Sequence, residues 1–395
     1  FQTGDCAVNS AKRRLIASLA STKLADLLIS AKTTLPALML ALGAPAWMIS
    51  WLVPIRESGA LLPQAAIGVV LRHYAARHHV WRLGMVVQSF SLLAIILGAS
   101  WYDGMTGGWF VLGGLCLLSL GRSACSLTMK DIQADVAEQG DRGKLLGIAS
   151  TTSGVLTLII AVPLVYFADQ LGETLIFGLL IGAVSAMLLG LFILLPLKTC
   201  VEVDENKNRG GHSWWDFDAI VYKFIVVRGL FVHSALVAPY FMLETEQEAA
   251  SLLPFYLGAQ AAATMLSSFV WGSVADYSAR LTLQMAGVLA LIACGGLLFL
   301  PGHSLWISGG LFFVLAVAHT GVRTGRKTYS LDVKDGQQRT ELVAFSNTAI
   351  GLILLGFGAL YAALKAAFDI NIVATMAVML LVGIGLSFIL PKEKR

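Results

Sequence analysis

The sequence predicts an all-α polytopic membrane protein with twelve transmembrane helices in two six-helix bundles. Three observations predict it. The 395-residue chain is 57% hydrophobic and only 13% charged, with a mean hydropathy of +0.75, which no soluble domain of this size matches. Apolar stretches long enough to cross a bilayer recur along the whole chain. One long polar stretch, 198–218, divides them six and six.

Taken in order, the spans read 15–42, 46–71, 80–101, 107–129, 144–167 and 174–195. After the polar stretch come 221–242, 250–274, 281–300, 304–324, 342–367 and 371–390. The expected organisation is a bundle over 1–197, a loop over 198–218 and a second bundle over 219–395. Pro36, Pro54, Pro63, Pro163, Pro239 and Pro254 fall inside spans, where local kinks are expected. Trp214 and Trp215, before span 7, read as an interfacial anchor. Lys12, Arg13 and Arg14 precede span 1 with no small-residue cleavage site after it, so no cleaved signal is expected.

Charge fixes the expected orientation. Lys and Arg gather before span 1, after spans 2, 4, 8 and 10, in the central loop and at the end of the chain. The opposite loops carry Asp103, Asp169, Glu173, Glu244, Glu246, Glu248 and Asp369. The positive-inside rule then puts both termini and the central loop in the cytoplasm, with the chain multi-pass in the cell membrane.

The two halves echo each other. Arg122 to Asp131 is nine positions, as is Arg323 to Asp332. Arg142 to Gly154 is twelve, as is Arg339 to Gly351. Gly68 echoes Gly272 at an offset of 204, close to the 201 that relates Arg122 to Arg323. Two bundles of similar design are implied.

With twelve spans, a polar centre and basic turns after spans 2 and 8, the chain resembles the major facilitator superfamily of secondary transporters. Gly272, Asp276 and Arg280 match that family's turn of glycine, acid and base. The first-half copy departs from it, because Arg72 stands near the expected acid and is followed by His73 and Arg77. Arg122, followed by small residues, resembles the span-4 arginine of proton-linked members. The resemblance implies a cytoplasmic gate built from Gly68, Arg72, Arg77, Asp131 and Arg142, and from Gly272, Asp276, Arg280, Arg326, Asp332 and Arg339. It also implies that spans 1, 4, 7 and 10 line a central cavity.

The intramembrane charges are the candidate pathway. A charge at bilayer depth costs roughly 2.5–3.5 kcal/mol on insertion scales, so it needs protein, water or a counter-charge. Lys32 lies ten residues from Leu42 and Glu57 eleven from Ala46, about 15–17 Å below one face. The turn between spans 1 and 2 is short, so Lys32 is expected to meet Glu57, with Arg56 beside them. That group is read either as a structural ion pair or as an anion- or proton-responsive site. Asp26, Arg122 and Arg228 lie deeper, about 21–24 Å down, and Arg323 deeper still. These four put one charge on each expected cavity span. Snorkelling toward the cytoplasm is the competing reading for Asp26 and Arg323. His233, five residues from Arg228, is a candidate proton-responsive group, and His319 is similar.

Other chemistries find little support. The five cysteines are scattered and form no CxxC, so neither disulfides nor zinc are expected. His73, His78 and His79 lie among arginines, which disfavours a metal. No Walker motif is present, no nucleophile–base cluster falls inside the spans, and the net charge of +4 suggests no nucleic-acid partner. No cofactor is expected. The expectation is a monomeric, non-enzymatic transporter of an anionic or zwitterionic organic solute, coupled to protons and working by alternating access. A proton-coupled exporter of amphipathic compounds, and a non-transporting receptor or assembly factor on the same scaffold, are the alternatives.

Overall fold

The computed structural model describes residues 2–71, 76–136, 141–198, 219–245, 249–300, 304–332, 336–368 and 370–391. All regular structure among them is helical. Ahead of 199–218 come α1 (Gln2–Leu28), α2 (Thr34–Ala41), α3 (Ala46–Ile49), α4 (Leu52–Leu61) and α5 (Pro63–Leu71). They are followed by α6 (Arg77–Trp101), α7 (Gly104–Val136), α8 (Asp141–Leu171) and α9 (Glu173–Leu194). Behind it come α10 (Ala219–Phe231), α11 (His233–Leu236), α12 (Tyr240–Leu243) and α13 (Ala249–Tyr277). The chain then runs through α14 (Ala279–Phe299), α15 (Leu305–Asp332), α16 (Gly336–Ala367) and α17 (Ile372–Ser387). Nine helices among the described residues are long and apolar enough to cross a membrane. The shorter α17 and the segmented runs α1–α2 and α3–α5 supply the remaining three apolar stretches, consistent with twelve passes.

Spans 1 and 2 are not the continuous helices expected. Helix α1 stops at Leu28 and α2 starts at Thr34. Pro36 explains the position: its missing N–H leaves the carbonyl of Lys32, four residues back, without a helical donor. Span 7 breaks in the same way, between α10, α11 and α12, with Pro239 directly before Tyr240. Pro36 and Pro239 are 203 positions apart, close to the 201 and 204 of the sequence repeat. Pro54 sits one turn after the α3–α4 break, and Pro63 opens α5 at the first helical position, where proline is favoured. Pro163 and Pro254, by contrast, lie inside continuous α8 and α13.

Close packing uses small residues. A Cβ on Gly84 of α6 would lie 2.7 Å from Cys125 Sγ and 2.9 Å from the Gly121 carbonyl of α7, so only glycine lets these backbones approach. Helix α1 is pinned to α9 by Ser18 Oγ donating to Gly190 O at 2.8 Å and Ser21 Oγ to Ala186 O at 2.7 Å. The turn between spans 1 and 2 holds Gly43 at φ +67°, which a side chain would strain.

One end of the bundle is basic. Arg82, near the start of α6, donates to Leu195 O at 2.5 Å and Leu197 O at 3.2 Å. Arg280, at the start of α14, donates to Leu390 O at 2.9 Å. In each case a cation closes the carbonyls at a helix C-terminus. This end holds the tails of α9 and α17; call the other the far end.

The helices before and after 199–218 meet mainly from the far end to mid-bundle. Tyr240 OH donates to Ser50 Oγ at 2.5 Å, Ser58 Oγ to Gly351 O at 2.9 Å, and Ser30 Oγ to Gln260 Oε1 at 3.1 Å. Pro54 packs on Gly358 and Leu62 on Gly351, joining α4 to α16. Helices α8 and α13 touch from Ala161 against Gly258 to Gly154 against Met265. Toward the basic end a groove of about 440 Å³ opens between them, lined by Ser150, Thr151, Thr264 and Ser268.

Candidate solute pathway

The pathway is built on three helix faces. On α1, Lys23 and Asp26 sit at helical spacing, and Ser30 follows two residues past its end. Lys23 Nζ bonds Ser150 Oγ of α8. Asp26 accepts Arg56 Nη2 of α4 at 2.8 Å on one oxygen and pairs with Arg122 Nη2 of α7 on the other. Ser30 meets Gln260 of α13. On α15, His319, Arg323 and Arg326 form a second stripe. On α16, Ser346 and Asn347 form a third short polar patch inside an apolar helix.

The Asp26 cluster decides between two pairs of readings. Asp26 does not snorkel; it is the shared acceptor of two arginines from different helices. Arg56 does not pair with Glu57. The two are consecutive on a helix and so point about 100° apart. Arg56 turns to Asp26, and its Nη1 is sealed without a hydrogen-bond partner.

Glu57 turns the other way. It makes no ion pair or hydrogen bond among the described residues, and neither does the side chain of Lys32. The expected contact between them within salt-bridge reach is therefore absent. The break at 29–33 resets the direction of Lys32 relative to a continuous helix. They still act on each other at longer range, and Arg326, Arg323 and Arg56 also act on Glu57. Lys32, Glu57, Arg326 and His319 are all half-buried, and Arg323 is exposed. Arg326, expected at the gate, instead shares the stripe of His319 and Arg323 and belongs with this inner group.

Arg228 of α10 is buried, at 7% exposure. Its Nη1 donates to Ser346 Oγ at 2.5 Å and its Nη2 to Asn347 Oδ1 at 2.8 Å. Both acceptors are neutral, and its Nε is sealed without a partner. Arg326 and Glu57 are the charges whose fields reach it. His233 lies five residues on and is fully buried. Its Nδ1 is 2.7 Å from Leu230 O, which can only accept, so Nδ1 carries the proton. Nε2 then accepts Tyr361 OH at 2.7 Å. Both nitrogens are used, and the ring ties off a carbonyl at the α10–α11 break. His319 Nδ1 lies 3.3 Å from Ser234 Oγ.

The gate residues divide. Arg77 Nε pairs with Asp131 Oδ2 at 2.9 Å and its Nη1 donates to Leu71 O at 2.6 Å, which joins α5, α6 and α7. Arg280 caps α17, as above. Asp276 is exposed near the end of α13, and Gly272 has no atom within 4 Å of where a Cβ would stand. Gly68 lies in α5. Arg72 and the side chains of Arg142, Asp332 and Arg339 lie outside the described residues, as do His73, Cys200, Trp214 and Trp215.

Lys23, Ser346 and Asn347 belong to the site and were not singled out from sequence. Their signals were present: Lys23 is three residues before Asp26, and Ser346–Asn347 interrupts an apolar span.

The family model described as Major Facilitator Superfamily matches residues 28–352, and the chain belongs to that superfamily. Solved structures agree on the fold. The nucleoside transporter NupG superposes with a TM-score of 0.72 at 11% identity, covering 96% of this chain and 98% of that one. A peptide transporter POT in complex with sulfate gives 0.71 at 12%, covering 96% and 93%. A bacterial homologue of the iron transporter ferroportin, in an inward-facing state, gives 0.63 at 16%, covering 96% and 98%. Curated protein sequences give no significant match.

Proposed function

We propose that this superfamily member is a secondary active transporter of a small organic anion, working by alternating access across the cell membrane with protons as coupling ion. The observation that carries the reading is the surplus of positive charge between the halves. Lys32, Arg228, Arg323 and Arg326 face one carboxylate, Glu57, with no ion pair among them in the described residues. Uncompensated cations at membrane depth are costly unless water or an anion meets them. An anionic solute supplies that counter-charge. A zwitterion fits less well, since Glu57 offers a single pole for its cation.

In this reading residues 1–197 and 219–395 are the two rocking units, and both termini are cytoplasmic. The basic end is then the cytoplasmic end, the contacts of Ser50, Ser58 and Ser30 close the outside, and the conformation is inward-facing. Glu57 is the candidate proton carrier, because a carboxylate among movable cations changes its proton affinity as they move. Asp26 is held by two arginines, which suits it to structure. Arg77 with Asp131, and Arg280, serve as cytoplasmic fastenings that travel with their own half. The protein acts as a monomer.

A thermal-shift screen of purified protein against organic anions, amino acids, sugars and cationic drugs tests the reading. A ligand that binds the folded state raises the melting temperature by mass action. Shifts confined to organic anions are expected. Shifts only with cationic amphipathic compounds would favour the exporter reading, to which the groove between α8 and α13 lends support.

A further inference from the structure

Asn347 stands where the seam between the halves ends. Helix α4 packs on α16 through Pro54 against Gly358 and through Leu62 against Gly351, so closely that a Cβ on either glycine would lie 2.8 Å from its neighbour. Ser58 Oγ donates to Gly351 O at 2.9 Å in the same seam. Helix α5 continues α4 toward the basic end, yet among the described residues it does not pack on α16 to a like extent. The halves therefore part just beyond Gly351. Asn347 lies four residues earlier on α16, one turn toward the basic end and on the same face as Gly351. It borders the opening within about one turn of Glu57, the neighbour of Ser58.

The orientation of its amide is forced. A guanidinium only donates, so the atom 2.8 Å from Arg228 Nη2 is the amide oxygen. Arg228 itself is buried, and Ser346 Oγ holds its other arm at 2.5 Å. Asn347 Nδ2, with its two N–H donors, then points away from Arg228. It has no partner among the described residues, and unlike Arg228 Nε it is not sealed from solvent. A pair of donors fixed by a buried arginine is thus offered to the gap between the halves.

We propose that Asn347 is a specificity-determining residue whose amide donates to an uncharged oxygen of the solute, which makes the solute an oxo or hydroxy acid rather than a plain carboxylate. The inference rests on the anion-transport reading above and narrows its class. The anionic group goes to the cations whose fields meet at Glu57, namely Lys32, Arg323 and Arg326, because charge-assisted hydrogen bonds are the stronger ones. That leaves the uncharged amide for an uncharged acceptor, a carbonyl or hydroxyl oxygen. A methylene in that place would leave both N–H groups without a partner once the site closes. A site built around such donors rejects the analogue that lacks the oxygen.

The test is calorimetric binding to the purified full chain. Pyruvate and lactate are compared with propionate, and oxaloacetate and malate with succinate. At least one oxygenated acid is expected to bind about three- to tenfold tighter than its plain counterpart. An advantage for the oxo acids alone, or for the hydroxy acids alone, assigns the class. Asn347→Asp keeps an oxygen acceptor for Arg228 and removes the N–H donors. It is expected to melt like the parent chain and to bring the members of each pair within about twofold of each other. The added charge weakens every anion alike, so the ratio within a pair is the readout. Asn347→Leu is expected to collapse the same ratio where it folds. An advantage that survives in Asn347→Asp overturns the inference, and so does equal binding within every pair by the parent chain. Both results leave the anion reading standing. Binding of none of these acids also overturns the inference, and it takes the anion reading with it where neutral or cationic solutes bind instead.

Discussion

Asp26 and Glu57 are both acids at membrane depth, yet their surroundings differ. Asp26 holds Arg56 and Arg122 together, while Glu57 has no bonded partner among the described residues. Removing one partner of a buried ion pair strands the other and costs about 3–5 kcal/mol. Asp26→Asn is therefore expected to lower the melting temperature in detergent sharply, and Arg56→Gln in the same chain should recover part of the loss. Glu57→Gln is expected to melt like the parent and to lose accumulation driven by a proton gradient while solute exchange persists. Equal melting of Asp26→Asn and the parent would contradict the structural role of Asp26. Normal accumulation in Glu57→Gln would contradict the coupling role of Glu57. At this scale the sequence located the charges but not their partners. Depth along a helix can be read at about 1.5 Å per residue, but facing cannot be read across a break. Lys32 follows such a break, and Arg56 and Glu57 differ only by a turn of about 100°.

The elements carry the conformational reading. Spans were legible from hydropathy, and kinks from proline. That Pro36 breaks span 1 while Pro163 leaves α8 continuous was not legible, because surrounding helices decide whether a freed carbonyl is met in place. Tyr240 and Ser50 make one of the far-end contacts, a hydroxyl pair between α12 and the residue after α3. A hydrogen bond of this kind contributes about 0.5–1.5 kcal/mol. Tyr240→Phe with Ser50→Ala is expected to move the population toward the form open at the far end by about two- to tenfold. Spin labels at Asp103 and Ser304, both exposed at that end, read the change as growth of a longer distance. An unchanged distance distribution would mean that the pair does not govern closure. Packing of α6 on α7 gives a second check. Gly121→Leu would force a side chain into the Gly84 carbonyl and Gln88, and the variant is expected to be recovered at low yield and to melt early.

For the whole molecule, the repeat of 201 to 204 residues was readable in the sequence, and Pro36 and Pro239 add a pair at 203. The proposed sidedness is checked at Cys200. In sealed right-side-out membranes an impermeant maleimide is expected to miss it until the membrane is opened, and labelling from outside would reverse the orientation. The surplus charge was also legible, since a count of ionisable residues inside the spans requires no contacts. Its arrangement around Arg326 was not, because Arg326 was assigned to the gate by motif and joins His319 and Arg323 only once α15 is seen to continue to Asp332. The central claim, that the cations between the halves bind an organic anion in the course of transport, is tested most directly by charge displacement. Proteoliposomes adsorbed on a solid-supported membrane are exposed to a jump in anion concentration. A transient current is expected with the parent chain, and a current smaller by about tenfold or more with Arg326→Gln. A full current in Arg326→Gln, or a response from the parent chain to neutral or cationic solutes alone, would contradict the account.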